Sequence, residues 1–143
     1  MEIVHVPKVL EFFVPGIPAP QPRPRVYGPG RVATDNKNSK NWKTVIQIIF
    51  KQKFDMPYPV FDKGTPLFVH AVFHLPRPKS AKRPLPCVRP DLDNLLKCAQ
   101  DALDKLAWYD DGQICKTHVE KQYTKSKCNP GMQICVERME VDD

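Results

Sequence analysis

The chain has no apolar run long enough to cross a membrane as a helix, so a helical membrane protein is excluded and no membrane partner is expected. Its start, Met1-Glu2-Ile3-Val4-His5-Val6-Pro7-Lys8, lacks the basic beginning and continuous apolar stretch of a secretion signal; the expected location is the cytoplasm. No C-x-x-C pair occurs. The five cysteines (Cys87, Cys98, Cys115, Cys128 and Cys135) are odd in number and widely spaced, which argues against a structural zinc site built on thiolates. Reduced thiols, mostly buried as small apolar side chains, are expected instead. A glycine-rich phosphate loop, a serine-nucleophile motif and an internal repeat are all missing.

What is present is positive charge and proline. The 143 residues carry a formal net charge of +6, which favours a polyanionic partner, most simply nucleic acid. The length suits one domain, residues 1–143, with a single ordinary core. The 16 prolines cluster from Pro15 to Pro29 and from Pro76 to Pro90, predicting two stiff, extended connections.

Between these connections the periodicity changes. Val9 to Val14 reads as a strand, and Gly16 to Ala33 as a loop rich in proline, glycine and arginine. A helix is predicted from near Asn36 to Ser39, with Trp42, Val45, Ile46, Ile49 and Phe50 on its apolar face and Lys43, Gln47 and Lys51 opposite. Leu67 to Leu75 is the clearest strand. Leu67, Val69, Ala71, Phe73 and Leu75 make one apolar face, and the half-polar face of Phe68, His70, Val72 and His74 is expected to be covered too. A second helix is predicted over roughly Asn94 to Leu106, burying Leu95, Leu96, Ala99, Ala102, Leu103 and Leu106. Two antiparallel strands follow, Gln113 to Tyr123 and Met132 to Glu140, joined by a turn from Lys125 to Gly131. The expected fold is α+β (mixed α/β), with one mixed sheet and two main helices.

The chemistry concentrates in Arg89-Pro90-Asp91-Leu92-Asp93-Asn94-Leu95-Leu96-Lys97 and, after the second helix, in Trp108-Tyr109-Asp110-Asp111-Gly112. Clustered carboxylates in a basic chain suit a divalent cation held against a phosphate. If the backbone at Asp91 and Asp93 is still extended, both point to one side and reach one cation. Either could instead cap the helix. Asn94, Lys97 and Asp101 share one helical face, where Lys97 and Asp101 could form only a surface ion pair. The helix spans about 18–20 Å, so Asp111 cannot reach Asp91 and Asp93 through it alone. Its strand must pair next to the chain carrying Asp91, or a second chain must supply it.

These residues resemble the RusA Holliday-junction resolvases of phages and prophages. The likeness rests on Asp91-Leu92-Asp93-Asn94-Leu95-Leu96-Lys97, Asp101-Ala102-Leu103 and Trp108-Tyr109-Asp110-Asp111-Gly112-Gln113, with Val14-Pro15-Gly16 and Pro22-Arg23-Pro24-Arg25 nearer the start. The resemblance implies an intertwined homodimer of mixed α/β subunits that cuts four-way DNA junctions with Mg²⁺, Mn²⁺ being a substitute. It puts Asp91, Asp93 and Asp111 in the places of metal-binding aspartates, Lys97 in that of the essential lysine, and Asp110 in that of a less critical neighbour. Two-fold symmetry suits paired cuts in opposed strands.

Arg77, Lys79, Lys82, Arg83 and Arg89 in one loop, and Arg23, Arg25 and Arg31 in the other, are expected to hold phosphates. Tyr27 is a candidate for stacking on an unpaired base, though packing on its own loop is the commoner role. Trp42 is expected in the core and Trp108 beneath the Asp110–Asp111 turn. His70 and His74 share a strand face and so could pair on a metal, but with no carboxylate or cysteine evident nearby, packing at a sheet or dimer contact is the expectation; His118 alone supports nothing. The competing functions are a non-catalytic junction-binding protein of the same fold, and a ribonuclease or flap nuclease using the same site.

Overall fold

The computed structural model describes residues 6–26, 28–30, 32–33 and 35–140. In chain order the elements are β1 (Val9–Pro15), β2 (Arg25–Val26), β3 (Val32–Ala33), α1 (Lys37–Lys53), β4 (Leu67–Leu75), α2 (Leu92–Leu103), β5 (Ile114–Tyr123) and β6 (Gly131–Arg138). A single 3-10 turn, Asp111–Gln113, leads into β5.

Strand β1 alternates perfectly between exposed and buried residues, with Leu10, Phe12 and Val14 inward. The main sheet has the order β1-β6-β4-β5. Strand β6 is antiparallel to both β1 and β4, and β4 is parallel to β5. The sheet is therefore mixed and the architecture α+β, as expected. The last two strands are not neighbours, however: β4 lies between them. A parallel β4–β5 pair needs a crossover, and α2 supplies it. The first proline-rich loop, expected to be a stiff, extended connection without elements, contains the short antiparallel ribbon β2–β3.

Helix α1 starts where its capping residues dictate. The Asn36 side chain accepts the Ser39 N–H at 2.9 Å, and Ser39 Oγ accepts the Asn36 N–H at 3.0 Å. Such caps contribute about 1 kcal/mol each. Trp42, Ile46 and Phe50 are buried against the sheet together with Leu95, Ala99, Ala102 and Leu103 of α2. Lys43 and Gln47 do not face solvent as expected, since both turn towards α2. Gln47 Nε2 donates to the Ala102 carbonyl at 3.2 Å.

Both helices pack on one face of the sheet. The opposite face of β4 was expected to be covered; instead His70 is exposed and Phe68, Val72 and His74 are half-buried. Among the described residues, no helix or strand lies over it. Gly131, expected in a turn, opens β6, and a Cβ there would collide with the Phe13 ring and the Val14 carbonyl. All five cysteines are free, but only Cys98 is buried; Cys87, Cys115 and Cys128 are exposed. Burial pushes the Cys98 thiol up to about 12.

Candidate active site

Helix α2 begins two residues earlier than its periodicity suggests and ends three earlier, at Leu103. Lys105, with φ 67°, takes the left-handed conformation that terminates it. Its buried stripe is Leu95, Cys98, Ala99, Ala102 and Leu103. The stripe forces Asp93, Asn94, Lys97, Asp101 and Asp104 onto the other side.

Asp91 occupies the N-cap position with extended backbone (φ −70°, ψ 140°), yet its carboxylate accepts no N–H of the first turn. It sits where a cap belongs and does not cap. Asp93 is already helical, so the extended i, i+2 relation does not hold. Its Oδ1 accepts the Asn94 N–H at 3.0 Å. Both carboxylates are exposed.

Lys97 Nζ pairs with Asp101 Oδ1 at 2.9 Å. Lys43 Nζ reaches the other Asp101 oxygen at 3.8 Å and Asp35 Oδ1 at 2.8 Å. Gln21 Nε2 also donates to Asp35 at 2.8 Å, and the Gln21 N–H donates to the Asn94 carbonyl at 2.8 Å. These bonds hold the first proline-rich segment against α2. The result is a groove along the polar face of α2. One part, about 570 Å³, is lined by Arg23, Arg89, Asp91 and Asn94. The adjoining part, about 610 Å³, is lined by Arg23, Lys43, Lys97, Asp101 and Asp104. The sequence reading missed Asp35, Lys43 and Asp104. The spacing of Asp104, three residues after Asp101 and seven after Lys97, was the available signal for the last of these.

The Asp110-Asp111-Gly112-Gln113 segment is an interlocked turn. Asp110 Oδ1 accepts the Gly112 N–H at 3.2 Å. Gln113, buried, accepts the N–H groups of Tyr109 and Asp110 and donates to the carbonyls of Asp62 and Thr65. Asp110 thus serves the backbone, while Asp111 lies within electrostatic reach of Lys97, Asp101 and Asp104. Trp108 Nε1 donates to Asp111 Oδ1 at 2.7 Å, the support expected of that tryptophan. Partial burial is the main reason the Asp111 carboxyl is held above the ordinary aspartate range. Asp104 and Asp101 add to this, while Trp108 and Lys97 oppose it. Lys97 is held cationic above the usual lysine range by its bond to Asp101, with Asp111 and Asp104 contributing.

One chain does not gather Asp91, Asp93 and Asp111. Asp111 shares its field with Lys97, midway along α2, and with Asp101 and the C-cap Asp104 at its end. Asp93 lies about 16 Å before Asp104 along the helix axis. Lys121 Nζ donates to the carbonyls of Val88 and Pro90 at 2.7 and 2.8 Å, fixing the approach to Asp91 beside the far half of β5. From Ile114 to Lys121 that strand runs about 23 Å. Two oxygens on one magnesium lie at most about 4 Å apart. Among the described residues, the three aspartates therefore do not converge within a single copy.

The basic loop between β4 and α2 is partly self-supporting. Arg77 stacks on the Tyr123 ring at 4.4 Å and donates to the Arg83 carbonyl at 2.8 Å. Arg83 Nε donates to the Tyr123 hydroxyl at 2.7 Å. Lys82 and Arg89 are exposed. Arg23 and Arg89 share the cleft with Asp91. The Arg25 side chain, Tyr27 and Arg31 lie outside the described residues.

The model of the RusA endodeoxyribonuclease family matches residues 15–137. The chain belongs to the RusA endodeoxyribonuclease family. It is an endodeoxyribonuclease of the Holliday-junction-resolving type, in a family whose nucleases depend on metal. A branched DNA substrate fits that membership. A comparison with curated proteins finds no match.

Proposed function

We propose that this RusA-family chain, as one domain over residues 1–143, resolves four-way DNA junctions as a homodimer by paired, Mg²⁺-dependent phosphodiester hydrolysis. Asp91, Asp93 and Asp111 are its metal ligands. The observation that carries the dimeric reading is the separation of these aspartates along α2. A second copy running the other way sets the Asp91–Asp93 end of one chain beside the Asp111 end of its partner. The resulting dimer has two equivalent sites, one for each strand to be cut.

The donor set fits a hard cation. The ligands are carboxylate oxygens, the Asp91 carboxylate has no capping duty, and a buried Asp104 oxygen has no hydrogen-bond donor. Asp91, Asp93 and Asp111 would hold Mg²⁺, or Mn²⁺ in its place. When bound, the ion supplies Lewis-acid polarisation of the phosphate and a water of lowered pKa. Lys97 opposes the negative charge that develops on the phosphate oxygens. Arg23 and Arg89 seat a phosphate in the cleft beside Asp91, with Arg25, Lys82 and Arg83 further along the strand. Such contacts position DNA without reading bases, leaving junction selection to shape.

A synthetic four-way junction in Mg²⁺ tests the reading. The native chain should make paired symmetric cuts, and Asp93→Asn should bind without cutting. Binding without cutting by both, in Mg²⁺ and again in Mn²⁺, would make the protein a non-catalytic junction binder.

A further inference from the structure

The open face of the sheet carries a second cluster of ligating side chains, away from the acidic groove. Strands β4 and β5 run parallel with His70 directly opposite His118, and Val72 opposite Glu120. On β5, His118 and Glu120 are two residues apart and so share a face. The two imidazole rings stand 4.7 Å apart between centroids. One ligand atom from each of His70, His118 and Glu120 lies within 4.8 Å of those of the other two. Both histidines are exposed, and Glu120 is half-buried. Among the described residues, no hydrogen bond or ion pair engages these three side chains.

We propose that His70, His118 and Glu120 form a transition-metal site, with zinc as the ion its donors suit best. Two imidazoles and a carboxylate are the ligand types that zinc takes at about 2.0–2.2 Å, with water in the fourth position. Magnesium and calcium, which favour oxygen donors, are disfavoured there. Small rotations of the two exposed histidine side chains close the remaining distance between donors. His70 and His74 share a strand face, but the completing ligands come from the neighbouring strand, beyond the reach of sequence spacing. A bound ion would clamp β5, the edge strand of this sheet, to β4. Because β5 has Asp111 just before it and Lys121 within it, the clamp would stiffen the frame on which the acidic site is mounted.

The test is calorimetric titration of zinc into the untagged full chain in excess Mg²⁺, with Co²⁺ absorption as a second readout of coordination. Native protein should bind one zinc per chain and give the Co²⁺ spectrum of a nitrogen- and oxygen-ligated site. His70→Ala and His118→Ala should each weaken binding at least tenfold, and Glu120→Gln should weaken it too. Asp111→Asn should bind as the native chain does, and zinc should raise the melting temperature of native protein but not of His118→Ala. Zinc binding unchanged in both histidine variants, absent from the native chain, or lost in Asp111→Asn alone would overturn the proposal. Circular dichroism of each variant checks that the fold survives substitution at the two exposed histidines and the half-buried Glu120.

Discussion

The Trp108 indole donates to Asp111 Oδ1 at 2.7 Å from a ring that is itself fully buried. The core thus holds one oxygen of a half-buried carboxylate. The bond is also one of the two influences that restrain the upward shift of the Asp111 pKa, the other being Lys97.

Replacing the donor should raise that pKa further. Metal binding needs the ionised carboxylate. We therefore expect the acidic limb of the pH–rate profile to move to higher pH in Trp108→Phe, with about a tenfold loss at neutral pH. An acidic limb that stays put while the rate falls would limit Trp108 to packing.

Asp111 should work against the stability of the metal-free protein. Its pKa is raised in the folded state above the ordinary value of 3.8, so the folded chain binds the proton more readily than the unfolded one. The penalty is fully present above the folded pKa and fades as pH falls towards the unfolded value. Asp111→Asn keeps an acceptor for Trp108 and removes the charge. It should melt a few degrees higher at neutral pH, gain little in acid, and lose cleavage. A lower melting temperature at neutral pH would contradict the raised pKa.

Lys97 is half-exposed, and its pair with Asp101 spans one helical turn. Such pairs contribute only about 0.3–0.5 kcal/mol. Lys97→Met should shift the denaturation midpoint very little, yet slow cleavage by about 100-fold or more if the ammonium faces the reacting phosphate. Equal small losses in both measurements would reduce it to a surface ion pair.

Lys43 is different, because its side chain is only 16% exposed and joins Asp35 to Asp101. It is the main reason the Asp35 carboxyl lies below the ordinary range. Lys43→Met should destabilise the fold by about 1–3 kcal/mol in urea, since two carboxylates lose their shared cation. A change within about 0.5 kcal/mol would show that water replaces the lysine freely.

Lys82 and Arg83 are adjacent but should behave differently. Lys82→Ala should lower the salt slope of junction binding by about one and leave the loop intact. Arg83→Ala removes the bond to Tyr123 and should expose residues 77–89 to protease even without DNA. An unchanged slope for Lys82→Ala would take it off the phosphate contacts.

Much of this was legible in the chain. The alternation around Val69 and Phe73, the helix start near Asn36 to Ser39 and the apolar stripe of α2 are local patterns, and local physics enforces them. The position of β4 between β5 and β6 was not, because a short connection reads the same whether or not it closes a hairpin. The motif residues Asp91, Asp93, Lys97 and Asp111 could be named from spacing and resemblance. Helix length already set Asp111 apart from the pair; that the pairing of β5 does not bring them back together became visible only when Lys121 tied Pro90 to the far half of β5 and Trp108 tied Asp111 to the other end. Lys43 was misread because helical periodicity shows which face is polar, not what packs against it.

The proposed active site takes Asp91 and Asp93 from one chain and Asp111 from the other. It is tested by co-expressing Asp93→Asn with Asp111→Asn, purifying the mixed dimer, and assaying it on a four-way junction. Each variant alone should be inactive. The mixed dimer should hold one intact site and one doubly substituted site, giving single-strand nicks without paired resolution. A mixed dimer as inactive as its parents would contradict the shared site and return all three aspartates to one chain.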